Sequence, residues 1–248
     1  MRFDILSIFP EMFVPLMSYG IIGRAVKEGQ IEINVVNIRD FGEGPHQMVD
    51  DRPFGGGDGM VMKPEPIFRA LESFPRVEGD RKVVLLTPQG QLFNQSIARN
   101  LTKLKQIVLV CGRYEGVDER VRSRYVDMEL SVGDYISTGG ELPAMIIVEV
   151  VGRLIPGILG GEKSTLEESF EDNFLEYPQF TRPRVFQGEG VPSVLLSGDH
   201  GRIRLWRRTQ SIKRTLERRP DLLEKAHLSE KDKHILEELR QKQISQGN

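Results

Sequence analysis

Leu130-Ser-Val-Gly-Asp-Tyr-Ile-Ser-Thr-Gly-Gly-Glu-Leu-Pro143 decides how this chain is read. Apolar residues across 126–132 lead into it as a strand. Behind it Ala144, Ile147, Val148, Val151, Leu154 and Ile155 recur at helical spacing, so Pro143 opens a helix with a core-facing stripe. Between the two, Gly133, Gly139 and Gly140 clear backbone amides of bulk while Asp134, Tyr135, Ser137 and Thr138 supply polar groups. Such a turn suits a small polar ligand. Two further glycine turns, Thr87-Pro-Gln-Gly90 and Cys111-Gly-Arg-Tyr-Glu-Gly116, also follow apolar strands, at 82–87 and 107–111. Helices are expected at 64–73, 94–104 and 116–124. Continuous apolar strands alternating with helices argue for an α/β fold whose parallel sheet is covered on both faces, and ligands then sit beyond the carboxyl ends of the strands. Three strand ends can share one ligand.

Towards the amino terminus, residues 2–9 read as a strand, 12–26 as a helix broken at Gly20, and 31–38 as a second strand. The stretch 40–62 is too rich in glycine, proline and charge for regular structure. A loop of that length with Asp50, Asp51 and Arg52 beside Gly55-Gly-Gly57 favours recognition of a partner, because glycines permit close backbone approach. Towards the carboxyl terminus, residues 162–176 carry six acidic side chains against one basic and read as a linker that a partner orders. Tyr177 to Pro183 is extended, and 202–243 is helical, with arginines and lysines clustered around Trp206, the single tryptophan.

Composition narrows the classes. With 248 residues and 39% hydrophobic content the chain can bury a sizeable core. No window approaches the ~18 apolar residues of a membrane helix, and Asp4 and Pro10 interrupt any signal-like run; a cytoplasmic protein with no membrane partner is expected. One cysteine, Cys111, excludes an internal disulfide and reads as a small apolar residue at a strand end. Four scattered histidines lack metal-ligand spacing, so no metal ligands are assigned. Net charge is −2, yet residues 200–248 carry 13 Lys+Arg against 7 Asp+Glu while the remainder carries 21 against 29. A basic tail on an acidic body fits a polyanion partner, or a solvated helical face. No dinucleotide fingerprint follows a strand, and Gly161-Glu-Lys-Ser164 only mimics a phosphate loop because Glu162 separates glycine from lysine.

Seven colinear segments carry a resemblance: Val49-Asp-Asp-Arg-Pro-Phe-Gly-Gly-Gly57, Leu86-Thr-Pro-Gln-Gly90, Cys111 to Gly116, Ser131 to Ala144, Glu168-Ser-Phe170, Phe180-Thr-Arg-Pro183 and Leu195-Leu-Ser-Gly-Asp-His200. Together, over nearly the whole chain, they resemble the bacterial tRNA (guanine-N1)-methyltransferase family of the SPOUT class. The resemblance implies an S-adenosylmethionine-dependent homodimer that forms 1-methylguanosine at tRNA position 37, just 3′ of the anticodon, and leaves open whether Mg²⁺ assists. It implies a parallel-sheet domain over 1–160 with a trefoil knot near its carboxyl end, an interdomain linker over 161–180, and a small all-α tRNA-binding domain over 181–248. Implied cofactor contacts are Gly112, Val132, Gly133, Asp134, Tyr135, Ile136 and Ser137, with Leu86, Pro88, Tyr114, Glu115, Gly139, Gly140 and Pro143 beside them. Implied tRNA contacts are Asp50, Arg52, Arg182, Ser197, His200, Arg207 and Arg208.

The chemistry sets its own demands. N1 of neutral guanine bears a proton, so its attack on a methyl donor needs a base for that proton and a cation for charge building on O6. Arg153 matches the family's functional arginine; read without the family, it is a surface ion pair with Glu149, four residues earlier. Family members place an aspartate directly before Ser-Phe, and here Glu168 stands in that position as the expected base. Glu167 is the alternative, and both are open to a reading as solvated linker charges. The competing functions are another SPOUT RNA methyltransferase, or a non-catalytic tRNA-binding protein using the basic helices alone.

Overall fold

The computed structural model describes residues 1–75, 77–160 and 167–246. The chain divides into two units, Met1–Glu162 and Lys163–Asn248.

In the first unit the elements run β1 (Arg2–Ser7), α1 (Val14–Ser18), α2 (Gly20–Lys27), β2 (Glu32–Asn37), β3 (Asp50–Asp51), β4 (Val61–Met62), α3 (Pro64–Ser73), β5 (Arg81–Leu92), α4 (Gln95–Leu101), β6 (Gln106–Cys111), α5 (Glu119–Tyr125), β7 (Met128–Ser131) and α6 (Glu141–Gly152). The central sheet has strand order β2-β1-β6-β5-β7, and every pairing in it is parallel. Strand alternation sends side chains to two cores. Ile107, Leu109 and Cys111 of β6 join Phe3, Ile5, Val84 and Leu86 on one face, against Ala144, Ile147, Val148 and Val151 of α6. Val108 and Val110 join Leu6, Val83 and Leu85 on the other, against Ile67, Ala70 and Leu71 of α3. Each such aliphatic side chain contributes about 1.5–3 kcal/mol when taken out of water, and the doubly covered sheet explains why these strands are apolar throughout.

Several boundaries differ from expectation. β5 does not stop at Thr87: it shifts register after Leu86, and Gln91 and Leu92 pair with Leu130 and Ser131 of β7. Gly90 permits this, since a Cβ there would lie 2.4 Å from Leu130 N. α6 begins at Glu141 rather than Pro143, with Gly140 as its N-cap. α5 begins at Glu119 because Asp118 caps it, accepting from Arg120 N–H at 2.9 Å. The 40–62 loop contains the short antiparallel β3–β4 ladder.

The second unit comprises a two-stranded antiparallel ribbon, β8 (Val185–Phe186) and β9 (Glu189–Gly190), then α7 (His200–Arg218), α8 (Pro220–Leu223) and α9 (Glu230–Gln246). The ribbon is an addition to the helices expected there. Phe174, Ile212, Leu223 and Leu236 form its core. Residues 161–166 of the expected linker, including the glycine-lysine mimic, lie outside the described residues. The rest of that stretch is tied to α7: Ser211 Oγ donates to Leu175 O at 2.6 Å, and Leu175 N–H donates to Thr215 Oγ1 at 2.9 Å.

Candidate functional site

The register break of β5 after Leu86 and the carboxyl ends of β6 and β7 face a cavity of ≈ 430 Å³. Every residue expected to contact the cofactor lines it except Asp134, which is exposed between Gly133 and Tyr135. Two close approaches set the cavity's shape. Gly140 N–H donates to Gly112 O at 2.9 Å, and a Cβ on Gly140 would lie 2.7 Å from Cys111 Cα, so the turn before α6 is locked onto the turn after β6. Gly133 lies under the Tyr135 ring, 2.3 Å from where a Cβ would stand. The turn 111–116 is tight, with Tyr114 at φ 60° and Gly116 at φ 118°. A left-handed tyrosine costs on the order of 1 kcal/mol and persists only where its surroundings impose it.

The glycine-rich loop 49–62 is fastened to that turn. Glu115 N–H donates to Met60 O, and Met62 N–H to Gly116 O, both at 2.9 Å, while a Cβ on Gly59 would meet the Glu115 side chain. Asp50 is half-buried in β3 and Arg52 exposed beside it. Phe54 at the loop tip is fully exposed. Cys111 is completely buried, and burial pushes its thiol well above the ordinary range, with the Glu141 charge adding to the effect. That is an inert apolar position.

Arg153 is half-buried at the C-cap of α6, its N–H donating to Glu149 O at 3.1 Å. Glu168 belongs to the second unit, half-buried in a ≈ 240 Å³ cavity with Glu167, Arg207 and Arg208. Glu167 accepts from Tyr177 Oη at 2.9 Å, and Arg207 lies over the Tyr177 ring, 4.8 Å from its centroid. Burial and the Glu167 hydrogen bond raise the Tyr177 pKa. Arg208 is committed within the unit: it donates to both Asp232 oxygens at 2.8 and 3.0 Å and lies 3.9 Å from the Phe174 ring centroid. This pair holds Asp232 well below the usual carboxylate range, at about 2. Arg182 is exposed, Ser197 Oγ donates to Val194 O at 2.7 Å, and exposed His200 opens α7 behind the Asp199 N-cap. Among the described residues no group of three or more His, Cys, Asp or Glu is placed to hold a metal, and no helix is long and apolar enough to cross a membrane.

Residues 1–225 match the family described as tRNA (Guanine-1)-methyltransferase TrmD. The chain belongs to that family. Relatives named tRNA (guanine-N(1)-)-methyltransferase include proteins of Dictyoglomus turgidum, 54% identical over 97% of both chains, Pelotomaculum thermopropionicum, 55% identical over 96% of both, and Geotalea uraniireducens, 50% identical over the full length of both. In this member of the tRNA (guanine-1)-methyltransferase family, two groups at the cavity lie within the quoted motifs but were not among the expected site residues. Arg113 lines it, and Glu141 is buried directly behind it. The hint was a glutamate in the first turn of an apolar helix; its partners, 28 and 134 residues away, were not legible.

Proposed function

We propose that this chain is a tRNA (guanine-N1)-methyltransferase that uses S-adenosylmethionine to form 1-methylguanosine at position 37, 3′ of the anticodon. The observation that carries the proposal is one cavity shared by the turns at 86–90, 111–116 and 130–143, in a chain of this family. Its volume is within the ~300–1,000 Å³ usual for small-molecule sites. The lining suits the donor: Tyr135 and Ile136, both exposed, offer apolar surface to a purine, the peptide groups of 132–140 offer hydrogen bonds, and the Glu115 carboxylate balances positive charge while Glu119 is engaged by Arg122. Bound there, S-adenosylmethionine supplies an electrophilic methyl group on a sulfonium.

In this reading Glu168 accepts the N1 proton of guanine, and the Arg153 guanidinium stabilises the negative charge that builds on O6. Glu167 Oε2 accepts from Tyr177 Oη and lies 4.0 Å from Arg207 Nη1; we prefer Glu168 because it stands directly before Ser169-Phe170. We assign Arg52 and Arg182, both exposed, to phosphate contacts. We also read the chain from β5 to α6 as a trefoil knot; the tight passages of Gly90 against Leu130 and of Gly140 against Cys111 support it. A homodimer accounts for Leu142 and Ile146, exposed apolar residues four apart on α6, and for Ile136, 82% exposed. The catalytic assignment is tested by Glu168→Gln, which is expected to bind S-adenosylmethionine normally and to lose nearly all methyl transfer. Turnover near the wild-type rate would remove Glu168 from the role.

A further inference from the structure

Behind the cavity wall lies a charged pair, Arg113 and Glu141, that the proposed proton transfer and O6 stabilisation do not use. Glu141 opens α6 yet is only 1% exposed, and a buried carboxylate is tolerated only when paired and hydrogen-bonded. Its Oε1 accepts from Ser7 Oγ at 2.8 Å, at the carboxyl end of β1, and its Oε2 accepts from Arg113 Nε at 2.9 Å. The same guanidinium reaches the opposite way. Arg113 Nη1 donates to Thr138 O at 3.2 Å and to Thr138 Oγ1 at 3.3 Å, and the guanidinium lies 4.7 Å from the centroid of the Phe9 ring. Arg113 and Thr138 both line the cavity. One side chain thus joins the end of β1, the turn after β6 and the loop before α6. Gly139 makes room for it, since a Cβ there would stand 2.1 Å from Arg113 Nε.

We propose that Glu141 and Arg113 are positioning residues for the methyl donor: the buried carboxylate aims the guanidinium, and the guanidinium holds the Thr138–Gly140 wall of the cavity in its binding shape. The inference rests on the cavity being the S-adenosylmethionine site. A planar fork with donors in two directions is required, because Nε faces Glu141 while Nη1 faces Thr138. A lysine ammonium keeps the charge but cannot reproduce that fixed geometry.

Arg113→Lys therefore separates positioning from simple charge pairing. Binding of S-adenosylhomocysteine is measured by calorimetry, KM for S-adenosylmethionine and kcat by methyl transfer to tRNA, and folding by thermal melting. The expected result is a folded protein whose Kd and KM for the cofactor rise roughly tenfold or more, the scale of a lost charge-assisted hydrogen bond, while kcat at saturating cofactor changes far less. Glu141→Gln, which leaves Arg113 unaimed, is expected to raise Kd alike in its folded fraction. Wild-type cofactor affinity in Arg113→Lys, or a loss of activity that only tracks the unfolded fraction, would overturn the proposal. Failure of the wild-type protein itself to bind S-adenosylhomocysteine is a different result, and it would overturn the cofactor assignment beneath it.

Discussion

Alanine at Gly112 and alanine at Gly140 add the same methyl group on two sides of one contact, and they should fail in opposite ways. At Gly140 the backbone angles, φ −81° and ψ −4°, accept alanine, so only space matters. There the Cβ would lie 2.7 Å from Cys111 Cα and 3.1 Å from Gly112 N, against backbone that cannot rotate away. Overpacking of this kind costs about 1–3 kcal/mol, and separating the turns also weakens the Gly140 to Gly112 hydrogen bond, worth ~1 kcal/mol. A total of roughly 2–4 kcal/mol corresponds to a fall in Tm of about 5–15 °C for a unit of this size. At Gly112 the nearest atoms, Val117 Cγ2 at 3.5 Å and Leu86 O at 3.7 Å, are at ordinary contact distance. Stability should then change by less than about 0.5 kcal/mol, while the methyl intrudes on the cavity lining and weakens S-adenosylhomocysteine binding tenfold or more. Thermal melting and calorimetric titration of both variants decide the matter. Melting of Gly112→Ala as low as that of Gly140→Ala, or wild-type affinity in Gly112→Ala, would refute the reasoning.

Arg153→Ala should lower kcat by on the order of 100-fold, the scale seen when a charge-stabilising group is removed, with a smaller effect on stability; a sharp drop in Tm with unchanged turnover per folded molecule would return Arg153 to the ion-pair role. If Glu168 and Arg153 act across a dimer, mixing Glu168→Gln with Arg153→Ala protein should restore part of the activity in heterodimers, and no recovery after subunit exchange would speak against a shared site. Asp232 has a depressed folded-state pKa, so its contribution is present above the unfolded value near 3.8 and disappears as pH falls towards about 2. Its size is about 1–2 kcal/mol after allowance for the partly exposed Arg208, and Asp232→Asn should abolish that part of the pH dependence in urea unfolding, whereas an unchanged profile would contradict it.

The strands were legible because a sheet covered on both faces leaves no polar alternation, as Ile107 to Cys111 shows. The three glycine turns were legible for a related reason: Gly140 is required by a backbone contact that tolerates no Cβ. Continuation of β5 was not, because Pro88-Gln89-Gly90 has turn composition and only the pairing of Gln91 and Leu92 with β7 carries the strand past it. Glu141 read as an ordinary first-turn acid, favourable to the helix dipole, since Ser7 and Arg113 reach it only in three dimensions. The break before α9 carried a local signal that went unread. In Ser229-Glu-Lys-Asp232, Asp232 N–H donates to Ser229 Oγ at 3.2 Å and Ser229 N–H donates to Asp232 Oδ2 at 3.0 Å, a reciprocal cap. Arg208, expected on RNA, is held by that same Asp232.

The most direct test supplies labelled S-adenosylmethionine and an unmodified tRNA transcript with guanosine 3′ of the anticodon, then maps the label. The account predicts one methyl per tRNA, on N1 of that guanosine, with loss of transfer when adenosine, which has neither the N1 proton nor O6, replaces it. Label on ribose or on another base, or cofactor-indifferent tRNA binding with no transfer, would contradict it.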